Sequence, residues 1–107
     1  MKALIIGLGN IGLMYDINYR GKNYCRTHSK SLFQIEFFKD VSVVDLSSYK
    51  LKIAKKEYGF NTYRNLSEGL KKTRPSFVVI SSDTKNHLIN FNEIIKYYIP
   101  KIILIEK

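Results

Sequence analysis

Residues 2–12 read K-A-L-I-I-G-L-G-N-I-G, an apolar run that leads directly into three closely spaced glycines. Residues 3–6 have the continuous hydrophobicity of a strand that is buried on both faces of a parallel sheet. Gly7, Gly9 and Gly12 follow with G-x-G-x-x-G spacing, which is typical of a tight turn from a strand into a helix. This stretch therefore predicts an α/β fold.

Four further runs continue the strand pattern. Three are apolar, at residues 41–44, Phe77–Ile80 and Ile102–Ile105, and a shorter, more polar one covers residues 60–64. Helical patterns separate them, and strands that alternate with helices specify right-handed βαβ units in a doubly wound parallel sheet. The usual Rossmann-like order, 3-2-1-4-5, places the polar run at an edge, where partial exposure is tolerated.

The apolar faces of the first and last of these helices are expected to come from two sets of residues. The sets are Leu32, Phe33 and Phe37, on a helix that begins near Ser29, and Leu88, Phe91 and Ile95, on a helix that ends before Pro100. We expect both faces to pack on the sheet, because apolar residues at helical spacing form one stripe.

The run Ile102–Ile105 does not suit the edge of a sheet. Its four apolar residues need neighbours on both sides, yet the sequence ends two residues later. We expect either the first part of a longer protein, truncated after its fifth strand, or a strand that pairs with another chain. In either case we expect residues 1–107 to form one domain.

The composition is that of a globular chain with excess positive charge. Eighteen Lys and Arg face nine Asp and Glu, for a net charge of +9, and 45% of the 107 residues are hydrophobic. The lysines are scattered and lack an RNA-binding motif, so we expect solvated helix faces and no nucleic acid. The single Cys25 and the lack of an apolar run of ~18 residues predict a cytoplasmic protein without a membrane partner.

The glycine motif predicts a phosphate-binding turn. Gly7 allows the tight turn, Gly9 lets the backbone approach a pyrophosphate, and Gly12 lets helix and strand pack closely. Exposed amides near Asn10 and Ile11 would hold the phosphate charge at the start of the helix. A glycine-rich turn without a ligand is the alternative.

Asp45 ends the second predicted strand, where a carboxylate can accept hydrogen bonds from the adenosine ribose. Because its charge repels a 2′-phosphate, the predicted cofactor is NAD. NADP is the alternative cofactor, since Lys50 or an arginine within residues 14–30 could reach its 2′-phosphate. Asp45 lies farther beyond Gly12 than the roughly 20 residues of the standard spacing, which predicts an insert at residues 14–30. A helix-capping role for Asp45 competes with ribose binding.

Polar residues follow the fourth and fifth predicted strands. They are Ser81, Ser82 and Asp83 after the fourth, and Glu106 and Lys107 after the fifth. Ligands of open α/β sheets bind outside the carboxyl ends of the strands, so these residues should converge with the glycine turn on one crevice. Turn and capping roles remain open for the two serines. Two histidines and one cysteine are too scattered to predict a metal site.

Together these motifs resemble those of the Gfo/Idh/MocA oxidoreductases. The glycines at 7–12 match the family's opening fingerprint, residues 81–87 are similar to its A-T-P-x-x-x-H turn, and residues 106–107 look like the start of its E-K-P. Tyr-Asp at 15–16 and Arg-Thr-His at 26–28 are similar to a stretch of one subgroup. The turn at 81–87 departs from the pattern in its first three residues.

The resemblance implies a Rossmann domain that binds NAD or NADP, followed in complete members by a domain that holds a sugar or polyol. The residue that matches Lys107 lies beside the nicotinamide in those members, so Lys107 is the candidate catalytic residue. Ser81, Ser82, His87 and Glu106 would line the cofactor site. Because the C-terminal substrate domain is absent from residues 1–107, we expect cofactor binding and no turnover.

Two alternatives remain open. The chain could be a non-catalytic module that senses a dinucleotide or binds a partner, and that self-associates through Ile102–Ile105. The insert at residues 14–30 is locally basic and could embrace an anionic sugar or phosphate, or could be a solvated loop.

Overall fold

The computed structural model describes residues 1–18 and 25–106, which contain a five-stranded parallel sheet. The strands are β1 (Lys2–Ile6), β2 (Asp40–Val44), β3 (Asn61–Tyr63), β4 (Phe77–Ile80) and β5 (Ile102–Ile105). Their order is β3-β2-β1-β4-β5. The predicted fold class, a doubly wound Rossmann-like α/β sheet, is confirmed together with its strand order.

Helices cover both faces of this sheet. A π-helical segment (Asn10–Met14) runs directly into α1 (Tyr15–Asn18), and α2 (His28–Gln34), α3 (Ser48–Tyr58), α4 (Leu66–Thr73) and α5 (His87–Tyr97) follow, the last behind a 3-10 turn (Thr84–Asn86). Ser47 and Asn65 cap α3 and α4, since their side chains accept hydrogen bonds from backbone amides of the first turn. Gly59 ends α3 with a φ of 73°, as a helix-ending glycine should.

The central strand β1 explains why its sequence is continuously apolar. Ala3 and Ile5 belong to a core beneath α2 and α3, whereas Leu4 and Ile6 belong to a second core beneath α4 and α5. Successive side chains of a strand point to opposite faces, so a central strand with helices on both sides needs apolar residues at every position.

Two predicted apolar faces are wrong in part. Of the set on the first helix, Leu32 is buried, but Phe33 is 53% exposed and Phe37 lies beyond α2, which ends where Ile35 adopts an extended conformation. On α5 the fully buried residue is Ile94, while Leu88 and Ile95 of the predicted face are exposed. A helix near the edge of a sheet buries only a narrow stripe, and the sequence offers α5 more apolar residues than that stripe uses.

The two edge strands differ as the sequence predicts. β3 is short and polar, whereas three of the four residues of β5 are 41% to 50% exposed. Within the described residues β5 pairs with β4. No helix in the described ranges is both long and apolar enough to cross a lipid bilayer.

Candidate functional site

The turn after β1 is built on two glycines that no other residue could replace without strain. Gly7 has a φ of +95°, and its amide donates to the Val44 carbonyl at 2.9 Å. A Cβ at Gly7 would lie 2.5 Å from the Ser82 amide nitrogen, and one at Gly12 would collide with the Gly7 carbonyl oxygen. Gly7 and Gly12 are therefore required for close packing within the protein, where backbone segments approach each other.

Gly9 is different, because its space is open. No described atom lies within 4 Å of the position that a Cβ would take there. Its carbonyl accepts hydrogen bonds from Leu13 and Met14, which starts the helical segment. The first amides of a helix have no acceptor within the helix and carry a partial positive charge, and Asn10 and Ile11 of that turn are exposed. Among the described residues, Gly9 thus leaves open space beside the first amides of this segment, and we call this space the cradle.

Asp45 fixes this turn to the end of β2. One carboxylate oxygen accepts from the Leu8 amide at 2.7 Å, and the other accepts from the Ser47 amide at 2.8 Å. The side chain that caps α3 is Ser47, which accepts from the Lys50 amide. A carboxylate has about four acceptor positions, so the half-buried Asp45 keeps capacity for ribose hydroxyls.

The turn after β4 holds the other side of the crevice. The Ser81 hydroxyl donates to the Gly7 carbonyl at 2.8 Å, and the Ser82 hydroxyl donates to Asn90 at 2.5 Å. His87 directs its Nε2 to the Ser82 carbonyl at 2.7 Å. These side chains shape the turn through bonds within the protein.

A cavity of about 410 Å³ opens between these turns. Of the predicted site residues, the structure brings Gly7, Asp45, Ser81 and Ser82 together around it. Asp83, which was predicted to converge on this crevice, and Lys50, which was named as a possible phosphate contact, also line the cavity. Four further lining residues were not predicted, namely Arg64, Leu66, Asn86 and Asn90. The asparagines lie one helical turn apart at the start of α5, a spacing visible in the sequence, whereas nothing in the sequence placed Arg64 next to Asp45.

Glu106 lies at the carboxyl end of β5, on the other side of β4. Its amide donates to the Ile80 carbonyl at 2.9 Å, and its carboxylate contacts Nε2 of His28 at 2.7 Å. Lys107, the candidate catalytic residue, lies outside the described residues. His28 comes from the far side of the predicted insert, and no sequence motif indicated that it would contact Glu106.

The insert is closed at its base by Asp16. This carboxylate is 4% exposed, and one of its oxygens accepts from the Arg26 amide at 2.9 Å and from the Thr27 hydroxyl at 2.7 Å. Next to it the buried Ser29 donates to the Gly12 carbonyl. The start of α2 is thereby fastened to the glycine turn. The basic residues of the insert at positions 20 and 22 lie outside the described residues.

Ionisable groups away from the crevice include one with a shifted pKa. Burial raises the pKa of Tyr98 to about 12, against the opposing effect of the Arg74 charge. The Tyr98 hydroxyl donates to the Pro75 carbonyl at 2.9 Å, near the amino end of β4. Among residues 1–18 and 25–106, no three His, Cys, Asp or Glu side chains cluster in a way that could hold a metal.

Comparison with known proteins gives one informative match. The sequence matches no family profile and no curated protein. The structure is similar to apo scyllo-inositol dehydrogenase from Lactobacillus casei, with a TM-score of 0.75, 21% sequence identity and coverage of 100% of this chain. The match spans 28% of that enzyme's chain. At this identity the likeness establishes the Rossmann-like fold, which corresponds to part of a dehydrogenase.

Proposed function

We propose that this chain is the NAD-binding domain of a dehydrogenase that acts on a sugar or polyol. The observation that carries the proposal is the open cradle at Gly9. Gly7 and Gly12 are required by the fold itself, but the absence of a side chain at Gly9 relieves no contact among the described residues. Room beside the first amides of a helix suits a pyrophosphate.

The other residues of the crevice fit a dinucleotide in an extended pose. Asp45, Ser81 and Ser82 line the cavity, where Asp45 would accept from the adenosine ribose and the two serines would bound the path towards β5. The amides of Asn10 and Ile11, in the turn that follows Gly7, would hold the pyrophosphate. A bound nicotinamide would supply the hydride acceptor or donor. The protein would orient that ring and separate it from bulk water.

NAD is preferred to NADP because the Asp45 carboxylate would face a 2′-phosphate. Lys50 and Arg64 line the same cavity and reduce that repulsion. Arg64 already donates to the Leu46 carbonyl at 3.1 Å, however, which directs part of its guanidinium away from a ligand. We therefore expect a preference for NAD of modest size.

The sugar or polyol specificity rests on the motifs at 7–12, 81–87 and 106–107, and on the fold shared with an inositol dehydrogenase. The catalytic role of Lys107 rests on the same motifs. This chain corresponds to little more than a quarter of that enzyme. Hydride transfer to or from a sugar carbon is therefore proposed for the complete protein, and cofactor binding for this chain.

Calorimetric titration of the chain with NAD, and separately with NADP, tests the proposal. We expect NAD to bind, and Gly9→Ala to weaken it by at least about tenfold, because the new methyl group would occupy the ligand's space. The thermal midpoint should stay within about 2 °C, since that methyl meets no protein atom and φ at Gly9 is −72°. Equal affinity of the parent and Gly9→Ala would contradict the cradle.

The same titration with Asp45→Ala tests the adenosine end. Loss of a charged acceptor costs about 1.5–3 kcal/mol, so NAD should bind roughly 10- to 150-fold more weakly and the preference over NADP should disappear. Thermal unfolding must accompany this variant, because the Leu8 and Ser47 amides lose their acceptor. An unchanged ratio of NAD to NADP affinity would argue against ribose binding by Asp45.

A second candidate function is self-association through β5, favoured by the exposure of Ile102, Leu104 and Ile105. The amides of Ile102 and Glu106 bond to β4, so by alternation the amides of Ile103 and Ile105 point to the open edge. Light scattering should then give twice the chain mass, and Ile103→Pro should return it to the monomer. A monomeric parent at high concentration would exclude this function.

A further inference from the structure

One wall of the carboxyl-end cavity carries polar side chains to which the proposed function gives no role. Asp83, after β4, and Asn90, on α5, both line this wall. Asp83 precedes the 3-10 turn, yet its side chain makes no capping hydrogen bond there. Asp83 is exposed, and its carboxylate has no hydrogen-bond or ionic partner within residues 1–18 and 25–106. The Asp83 carboxylate is therefore available to a ligand in the cavity.

Hydrogen bonds within the protein hold this wall in place. The Asp83 carbonyl accepts from the Asn86 amide at 2.8 Å, and the Ser82 carbonyl lies 2.7 Å from Nε2 of His87. The Ser82 hydroxyl donates to Oδ1 of Asn90, and Nδ2 of that side chain has no acceptor among the described residues. The wall thus presents one acceptor, the Asp83 carboxylate, and one donor, Nδ2 of Asn90, from a fixed backbone.

The opposite wall comes from the segments that follow β2 and β3. Asp45 lies there, with Leu46 and Leu66 beside it. Leu46 is 80% exposed, so a flat ring that covers it would remove apolar surface from water. Because β2 and β4 both neighbour β1, their ends are separated by two strand spacings, roughly 10 Å. This separation is comparable with the length of a nucleoside, so a nucleoside held at Asp45 by its ribose can bring its base to the β4 wall.

The acceptor and the donor of the β4 wall match one purine base better than the others. Adenine carries an amino group at position 6, which donates, and ring nitrogens beside it, which accept. Guanine and hypoxanthine carry a carbonyl oxygen at position 6, which accepts. The Asp83 carboxylate can only accept, so it complements the amino group and repels the carbonyl oxygen. Nδ2 of Asn90 complements a ring nitrogen.

We propose that Asp83 and Asn90 recognise the base of the bound dinucleotide and select adenine by its 6-amino group. This recognition rests on the NAD-binding function and adds a base preference to it. Position 83 is also one at which the turn departs from the A-T-P-x-x-x-H pattern. A proline at that position has no side-chain acceptor, so the preference comes from a residue particular to this chain.

Calorimetric titration with NAD and with nicotinamide hypoxanthine dinucleotide tests this recognition, because the two ligands differ only in the purine. We expect the parent chain to bind NAD roughly tenfold more tightly, since a site that bonds to an amino group rejects an analogue without one. Asp83→Ala should bring the ratio of the two dissociation constants to about 1, because neither base then meets a carboxylate. Asn90→Ala should weaken NAD binding roughly fivefold, through loss of one hydrogen bond.

Two control variants separate base recognition from other effects. Asp40→Ala removes the same charge at the amino end of β2, and both affinities should stay unchanged although the net charge rises from +9. Asp45→Ala should weaken both dinucleotides equally, because they share the same ribose. Asp83 is exposed and its side chain caps no helix, so the thermal midpoint of Asp83→Ala should stay within about 2 °C of the parent.

The outcomes distinguish base recognition from dinucleotide binding. Equal affinity of the parent chain for the two dinucleotides would overturn base recognition and leave NAD binding intact. A preference for NAD that survives unchanged in Asp83→Ala would do the same. If neither dinucleotide binds, the proposed NAD-binding function fails, and base recognition fails with it.

Discussion

The two ends of the sheet carry cavities of different kinds. At the amino ends, a cavity of about 600 Å³ is lined by Phe33, Tyr58 and Phe60. The carboxyl-end cavity is smaller, about 410 Å³, yet it brings together a residue of the glycine turn, two carboxylates and two cations. Recognition needs a few polar groups that point to one place, and the carboxyl-end cavity includes Gly7 of the glycine turn. Volume alone would therefore not select the proposed site.

The rings at the amino end pack on one another and leave little for a ligand. Tyr58 stacks on Phe60 with ring centroids 5.2 Å apart, and Phe33 tilts against Tyr58 at 5.0 Å. Such contacts stabilise the join between α2, α3 and β3. The amino end of the molecule thus contributes stability, and the carboxyl end carries the proposed binding site.

The strongest way to disrupt the carboxyl end is Gly12→Ala. The added methyl collides with the Gly7 carbonyl, and neither backbone segment can yield without moving β1 or α1. We expect a loss of about 3 kcal/mol in the free energy of unfolding, or roughly 15 °C in the thermal midpoint, measured by circular dichroism.

Gly9→Ala is the matched control for that experiment, because it adds the same methyl group three residues earlier. Its thermal midpoint should remain near that of the parent. If both variants unfold alike, the distinction between a glycine required by packing and a glycine required by a ligand does not hold.

The smallest effect on stability is expected from Tyr98→Phe, at the amino end of the sheet. The pKa of Tyr98 is raised to about 12 in the fold, above the ordinary 10, so the unfolded chain loses this proton first. The stability that depends on the neutral hydroxyl is complete below pH 10 and is lost between pH 10 and 12. Tyr98→Phe removes this loss of stability at high pH, and it also removes the hydrogen bond to the Pro75 carbonyl.

Urea unfolding at pH 8 and at pH 11 measures this difference. The parent should lose more stability than Tyr98→Phe over that interval, and NAD affinity at pH 8 should be the same for both. A variant that loses as much as the parent would mean that Tyr98 does not contribute to the alkaline sensitivity.

Sequence patterns predicted the strands well because each strand is defined by local apolar runs. β4 and β5 have the predicted bounds, and the order follows from chain direction and handedness. The faces of α2 and α5 were harder to predict, because exposed and buried apolar residues look alike in sequence. Phe33 and Leu88 fit the helical spacing and still face solvent.

The site was predictable only where one motif supplies its residues. The glycine turn and Asp45 follow from spacing after a strand. The contacts that organise the site join distant residues, such as His28 with Glu106 and Arg64 with the Leu46 carbonyl. Such pairs depend on how helices settle on the sheet, which no local pattern records.

The hydrogen bonds from Arg26 and Thr27 to the Asp16 carboxylate, here called the Asp16 clasp, affect how this chain can change during evolution. Asp16 accepts hydrogen bonds from Arg26 and Thr27, so the residues before and after the intervening stretch are joined. Doubling the length of a loop whose ends are already joined costs only about 0.6 kcal/mol. The clasp therefore allows lineages to lengthen, shorten or rewrite the intervening stretch while the cradle beside it keeps its shape.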